Sequence, residues 1–171
     1  MTILIPAWRD GTLTPVEKLQ AHRSGLRHKA VSVFVRRGND ILIQRRALSK
    51  YHTPGLWANT CCTHPDWGEA APACALRRLD EELGITGLAP QFRQQLEYRA
   101  QVGADMIEHE VVDVFVADAG DDLAVTPNAA EVMAIRWLDL ATLRAEMNDQ
   151  PDRFTPWLHI YLRDHAETIL G

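Results

Sequence analysis

The chain is short of cysteine, of net positive charge and of long apolar runs. Three cysteines in 171 residues, two of them adjacent, make a poor disulfide framework and point to a reducing compartment. A formal net charge of −5 argues against wholesale nucleic-acid binding and leaves room only for a local basic pocket. No apolar run is long enough to span a bilayer. The stretch from Met1 to Trp8 lacks the basic flank of a secretory signal and soon meets Arg9 and Asp10, so the expectation is a cytoplasmic protein. Repeats, low-complexity tracts and long linkers are also absent, so residues 1–171 read as one domain with a substantial core.

The elements can be read from period and punctuation. Residues 2–5 predict a short strand, and Asp10-Gly11 is a turn signal that can start a hairpin. Residues 14–25 are polar and mixed. Two β-branched runs, 31–36 and 41–45, flank Arg37-Gly38-Asn39-Asp40 and predict a second hairpin. Residues 47–66, punctuated by Pro54-Gly55 and Pro65, read as loop. A helix is expected over 70–83, with Pro72 in its first turn, Gly84 as its stop, and Leu76, Leu79 and Leu83 facing a sheet. Strands follow at 92–99, 108–116 and 132–138, then helices at 140–147 and 154–170. This mixture implies an α/β or α+β sandwich with a mixed sheet.

Chemistry concentrates in a few places. On a strand, Glu108 and Glu110 share one face while His109 takes the other. Two carboxylates on one face repel unless a positive group lies between them, although a solvent-facing pair is the plainer alternative. His22, His28 and His64 could join them around one divalent ion, a borderline-hard donor set suited to zinc, manganese or magnesium. A lone histidine is more often a surface or capping residue. In the helix, Arg78 and Glu82 could be an ordinary surface pair, as could Arg77 and Glu81. The functional alternative has Glu82 hold magnesium while arginines meet phosphate oxygens. Cys62, two residues before His64, is a candidate acid/base thiol, whereas Cys61 and Cys74 read as small buried hydrophobes. No second Cys-x-x-Cys supports a zinc knuckle. Trp57, Trp67, Trp137 and Trp157 are core by default, and Trp157 at a helix start could instead offer a π-face to a cation.

Taken together, Arg45-Arg46-Ala47-Leu48-Ser49-Lys50, Pro54-Gly55-Leu56-Trp57, Asn59 to Pro65, Arg77 to Gly84, Tyr98-Arg99, Glu108-His109-Glu110 and Pro156-Trp157 resemble the type I isopentenyl-diphosphate Δ-isomerases of the Nudix superfamily. The resemblance covers nearly the whole chain and implies a Nudix-like mixed sheet between helices. It implies interconversion of isopentenyl and dimethylallyl diphosphates through a tertiary carbocation, with Cys62 and Glu110 as the acid/base pair and Tyr98 and Trp157 assisting. It further implies a divalent ion on His22, His28, His64, Glu108 and Glu110, and Mg2+ at Glu82 with the diphosphate. Lys18, Arg45, Lys50 and Arg78 would neutralise the phosphates. The expected partner is a small isoprenoid diphosphate, with no nucleic acid and no membrane, bound by a monomer or weak homodimer. The Nudix box is degenerate: Thr63 replaces its opening glycine and Arg78 a glutamate, while Glu69, Arg77, Glu81, Glu82 and Gly84 remain. Losing that carboxylate puts diphosphate hydrolysis, the alternative activity, in doubt. Thr63 raises the question of whether the Cys62–His64 backbone suits a Cβ.

Overall fold

A computed structural model describes residues 2–171; Met1, where the single-domain span and the signal-like segment begin, lies outside the described residues. Strands β1 (Leu4–Arg9) and β2 (Thr12–Glu17) form a hairpin over Asp10-Gly11, and helix α1 (Lys18–Arg23) follows. Strands β3 (Arg27–Arg37) and β4 (Asp40–Arg46) form the second expected hairpin. They pair only at Arg36–Ile41 and Arg37–Asp40, then splay apart.

Short strands fill the splay, which corrects the loop expected over 47–66. Strand β5 (Trp57–Ala58) pairs with β4, and β6 (Cys61–Thr63) pairs with β3. Two or three residues are too few to show a period. Buried side chains anchor them instead. The Thr60 hydroxyl donates to the Leu42 carbonyl at 2.6 Å and accepts from the Val35 amide at 2.8 Å. Asn59 Nδ2 donates to Ser32 Oγ at 2.7 Å and to the Val33 carbonyl at 3.0 Å. Thr63 lies in β6 without a positive φ, so the backbone there suits a Cβ.

Helix α2 (Ala71–Leu83) is followed by β7 (Gln91–Gln101), β8 (Ile107–Asp118), β9 (Val132–Asp139) and α3 (Leu140–Asp149). The expected C-terminal helix is two, α4 (Pro156–Asp164) and α5 (Ala166–Leu170). The chain breaks at His165, whose Nδ1 lies 3.1 Å from Gln94 Nε2 of β7. β8 runs parallel to β3, β7 pairs with β8, and β9 with β4, giving one mixed sheet among the described residues. Alternation along β3 sends Val31, Val33 and Val35 under α2 and Ala30 and Phe34 under α3–α5. The expected sandwich of a mixed sheet between helices is the observed fold.

Two core assignments change. Leu76 is 47% exposed, because α2 meets the sheet through the small Cys74 and Ala75 and then through Leu79 and Leu83. Trp67 is 46% exposed rather than core. Gly84 ends α2 with φ 60°, and a Cβ there would meet the Thr126 carbonyl oxygen at 3.0 Å. Left-handed strain and this contact together predict that Gly84→Ala destabilises the protein by about 2 kcal/mol in equilibrium urea unfolding. A loss below about 0.5 kcal/mol would refute that account.

Candidate active site

Strand register builds the site. Across the parallel β3–β8 pair, His28 stands beside Glu110. Across the antiparallel β7–β8 pair, Tyr98 stands opposite Glu110 and Ala100 opposite Glu108. Both glutamates are buried, at 2% and 1% exposure, so the solvent-facing alternative is excluded. His109 points the other way, to Glu97 at 3.0 Å. The Tyr98 hydroxyl reaches both carboxylates, 2.9 Å from Glu108 Oε2 and 2.8 Å from Glu110 Oε2.

One potential ligand atom from each of His22, His28, His64 and Glu110 lies within 4.8 Å of the other three. His22 also groups with His52 and Glu108 in the same way. His22 Nδ1 donates to the Lys18 carbonyl and His28 Nδ1 to the Leu26 carbonyl, each at 2.7 Å. Those bonds fix the tautomer that turns the Nε2 lone pairs inward, as metal ligation requires. His64 Nδ1 is buried without a hydrogen-bond partner, while His28 Nε2 and His52 Nε2 have only carboxylate oxygens near them, Glu110 at 3.6 Å and Glu108 at 3.0 Å. Burial and the neighbouring His28 push His22 down to about 4, and burial pushes His64 well below the usual histidine range. Burial opposes protonation of His28 as well, but its contact with Glu110 outweighs this and raises it. His22 and His64, held neutral by burial, beside His28 and the buried carboxylates make a donor set that fits a divalent cation.

Beside this group a cavity of about 10 Å³ opens among Lys18, Arg46, Lys50, Arg78, Glu82 and Cys62, with Trp157 on its wall. Glu82 is 4% exposed and held by two donors, Arg78 at 2.6 Å and Gln44 at 2.9 Å. It is a buried, oriented carboxylate rather than half of a surface pair, which fits Mg2+ beside substrate phosphates. Glu131 pairs with Lys50 and lies 3.6 Å from Arg78, so it gathers cations at the same end. Burial, then Lys50 and Arg78, lower Lys18 to about 8.

The other wall is less charged. Cys62 is half-buried, and its thiol shares a 3.7 Å hydrogen bond with the Tyr161 hydroxyl. Burial, reinforced by Glu110 and Glu108, pushes the thiol well up, so it is held neutral. Trp157 is buried, with the Arg46 guanidinium 5.2 Å from its ring centroid, so the indole already faces a cation.

The NUDIX domain family model matches residues 26–158. Relatives named isopentenyl-diphosphate Delta-isomerase match the whole chain: 66% identity in Roseobacter denitrificans, with 97% of that protein covered, and 66% in Ruegeria pomeroyi, with 95% covered. The chain belongs to the NUDIX isopentenyl-diphosphate Δ-isomerase family. Solved structures bear on the fold alone. DR0079 from Deinococcus radiodurans has TM-score 0.73 at 16% identity, covering 94% of this chain and 96% of that one. A MutT NUDIX hydrolase from Burkholderia pseudomallei has TM-score 0.61 at 20% identity, covering 81% and 98%.

Within this isomerase-family chain, the structure brings together His22, His28, His64, Glu110, Glu108, Tyr98, Cys62, Trp157, Glu82, Lys18, Lys50 and Arg78. Arg45 is the exception. Its Nε donates to the Gly55 carbonyl at 2.8 Å, and Arg46 lines the cavity instead. The register shift between these two residues places its extra residue, Met133, in β9, so β4 keeps its alternation and Arg46 takes the face of Gln44, toward Glu82. His52 was also missed. Its Nε2 lies 3.0 Å from Glu108, and its Nδ1 lies 2.8 Å from the hydroxyl of Thr53, a threonine at φ 45°. Nothing in its sequence neighbourhood separates it from a surface histidine.

Lys18 gives a pH prediction. The ammonium is present below about 8 and lost as pH rises through it, so kcat/KM for a diphosphate substrate should fall on the alkaline side. Lys18→Arg keeps its charge and should remove that limb. A wild-type profile that stays flat through about pH 9 would exclude Lys18 as the titrating phosphate ligand.

Proposed function

We infer that the chain interconverts isopentenyl diphosphate and dimethylallyl diphosphate as a single-domain isomerase. One observation carries this: a neutral thiol, a buried carboxylate and a cation cluster of the kind that binds a diphosphate line one cavity, whose walls part to admit the substrate because its volume of about 10 Å³ has room for about one water. The substrate alkene is a weak base, and its protonation gives a tertiary carbocation that must be kept from water. In the forward direction Cys62 gives its S–H proton to the terminal CH2 carbon, and the π pair becomes the new C–H bond. Glu110 takes a proton from the methylene on the far side of the cationic carbon, and that C–H pair becomes the new double bond.

Tyr98 donates to Glu110 and orients it. Burial raises Glu110, but His28 and Tyr98 outweigh this and lower it, so it is ready to accept a proton. The Trp157 face stabilises the cation. Lys18, Lys50, Arg78 and, in place of Arg45, Arg46 bind the phosphates. His22, His28, His64, Glu108 and Glu110 would hold a divalent ion, Mn2+, Zn2+ or Mg2+, whose charge fixes the carboxylates when it is bound. Glu82 would hold Mg2+ with the diphosphate. This reading has the protein work in the cytoplasm, as a monomer or weak homodimer, without nucleic acid or membrane; its three free thiols support a reducing compartment. Hydrolysis is disfavoured because Arg78 stands where the Nudix pattern has a carboxylate.

The test is proton NMR with isopentenyl diphosphate and magnesium in heavy water, before and after metal stripping. Deuterated dimethylallyl diphosphate, lost on stripping, is the expected result. Unchanged substrate in a folded, metal-loaded sample rejects the reading, and released phosphate turns it toward hydrolysis. Cys62→Ala should lower kcat by roughly a thousandfold with KM changed by only a few fold. Full activity in that variant would remove the thiol from the mechanism.

A further inference from the structure

Helix α4 presents two aromatic residues to the cavity region, Trp157 and, one turn on, Tyr161. The first has a role in the reaction described above; the second has none. Yet Tyr161 is fully buried, and its hydroxyl is the hydrogen-bond partner of the Cys62 thiol, at 3.7 Å. Its ring is clamped edge-on by Phe34, at 5.9 Å between centroids, and by Tyr98, at 6.0 Å. The hydroxyl therefore has little freedom to turn away. On the opposite side stands Ser32, the cross-strand partner of Cys62 in the β3–β6 pair. Ser32 is fully buried, and its hydroxyl lies near both the thiol and the Tyr161 hydroxyl, where it favours their ionised forms. Asn59 Nδ2 donates to Ser32 Oγ at 2.7 Å, which fixes the serine oxygen and leaves its own proton free to be donated.

The pair meets a need set by the chemistry. Proton donation leaves a thiolate in a buried wall near two carboxylates, where no lysine or arginine is its hydrogen-bond partner. Neutral hydroxyls can hold the sulfur in one rotamer before transfer and donate to it afterwards. We propose that Tyr161, supported by Ser32, is a positioning residue for Cys62, holding the thiol toward the substrate and receiving the sulfur once its proton has left. This rests on the isomerase reading, and Tyr98 does the matching work for Glu110 on the far side.

Tyr161→Phe removes only the hydroxyl and keeps the ring between Phe34 and Tyr98. In the metal-loaded enzyme it should lower kcat for isopentenyl diphosphate about tenfold while leaving KM and the thermal midpoint essentially unchanged. It should also move the infrared S–H stretching band of Cys62, identified as the band absent from Cys62→Ala; that readout needs no substrate. Ser32→Ala should move the same band and lower kcat in the same sense. An active wild type whose Tyr161→Phe variant keeps full kcat, or keeps the band in place, overturns this inference alone. A kcat loss accompanied by an equal fall in thermal midpoint assigns Tyr161 to packing and also overturns it. A folded wild type inactive on isopentenyl diphosphate overturns the functional reading, and this inference with it.

Discussion

The parallel pairing of β3 with β8 is the constraint on which the rest depends. Its ladder runs from Arg27–His109 to Arg36–Asp118 and leaves no freedom in which residue stands beside which. A slip of one residue would turn Glu108 and Glu110 to the outer face and bring His109 inward. In the observed register His28 and Glu110 are neighbours, β7 adds Tyr98 from one side, and β6 adds Cys62 from the other. The register is secured by valines, since Val112, Val114 and Val116 continue the inward face of the two glutamates beneath α3–α5. The hydrophobic core thus forces polar groups together that would otherwise repel, and backbone carbonyls of Lys18 and Leu26 fix the imidazoles beside them.

This explains what could be read in the sequence and what could not. Glu108 and Glu110 were legible because period two is a local property, and α2 because Pro72 and Gly84 punctuate it. Grouping His22, His28, His64 and Glu110 needed the resemblance, since these residues are far apart in the chain and only tertiary pairing unites them, whereas Glu108 groups with His22 and the unexpected His52. Arg46 was missed because adjacent arginines on one strand take opposite faces, and which face meets Glu82 is set by tertiary pairing. Strands β5 and β6 were missed because they are held by the side chains of Asn59 and Thr60 rather than by a pattern of their own. His52 and Tyr161 meet partners 56 and 99 residues away, Glu108 and Cys62, which no window along the chain contains.

The cavity separates two kinds of electrostatics. At one end four cationic side chains and Glu82 suit a diphosphate, which carries enough charge to hold the substrate firmly by contacts remote from the reacting carbons. At the other, hydroxyls, a neutral thiol and an indole line the wall, with Arg46 reaching over the indole from the cationic end. Binding energy gained at the polar end can then serve orientation at the apolar one, where proton transfer depends on placement more than on acidity.

Arg78 shows how a hydrolase-type helix can serve this different chemistry. Its guanidinium donates to Glu82 at 2.6 Å and Glu81 at 2.8 Å and lies 3.6 Å from Glu131. A glutamate at that position would put a fourth carboxylate among these three, and the cluster would then need extra cations to persist. Arginine supplies the positive charge itself and can turn part of its fork to a phosphate oxygen. The same exchange removes a carboxylate that could help gather metal ions around an attacking water. The helix therefore keeps the capacity to grip a diphosphate while losing part of the apparatus for cleaving it.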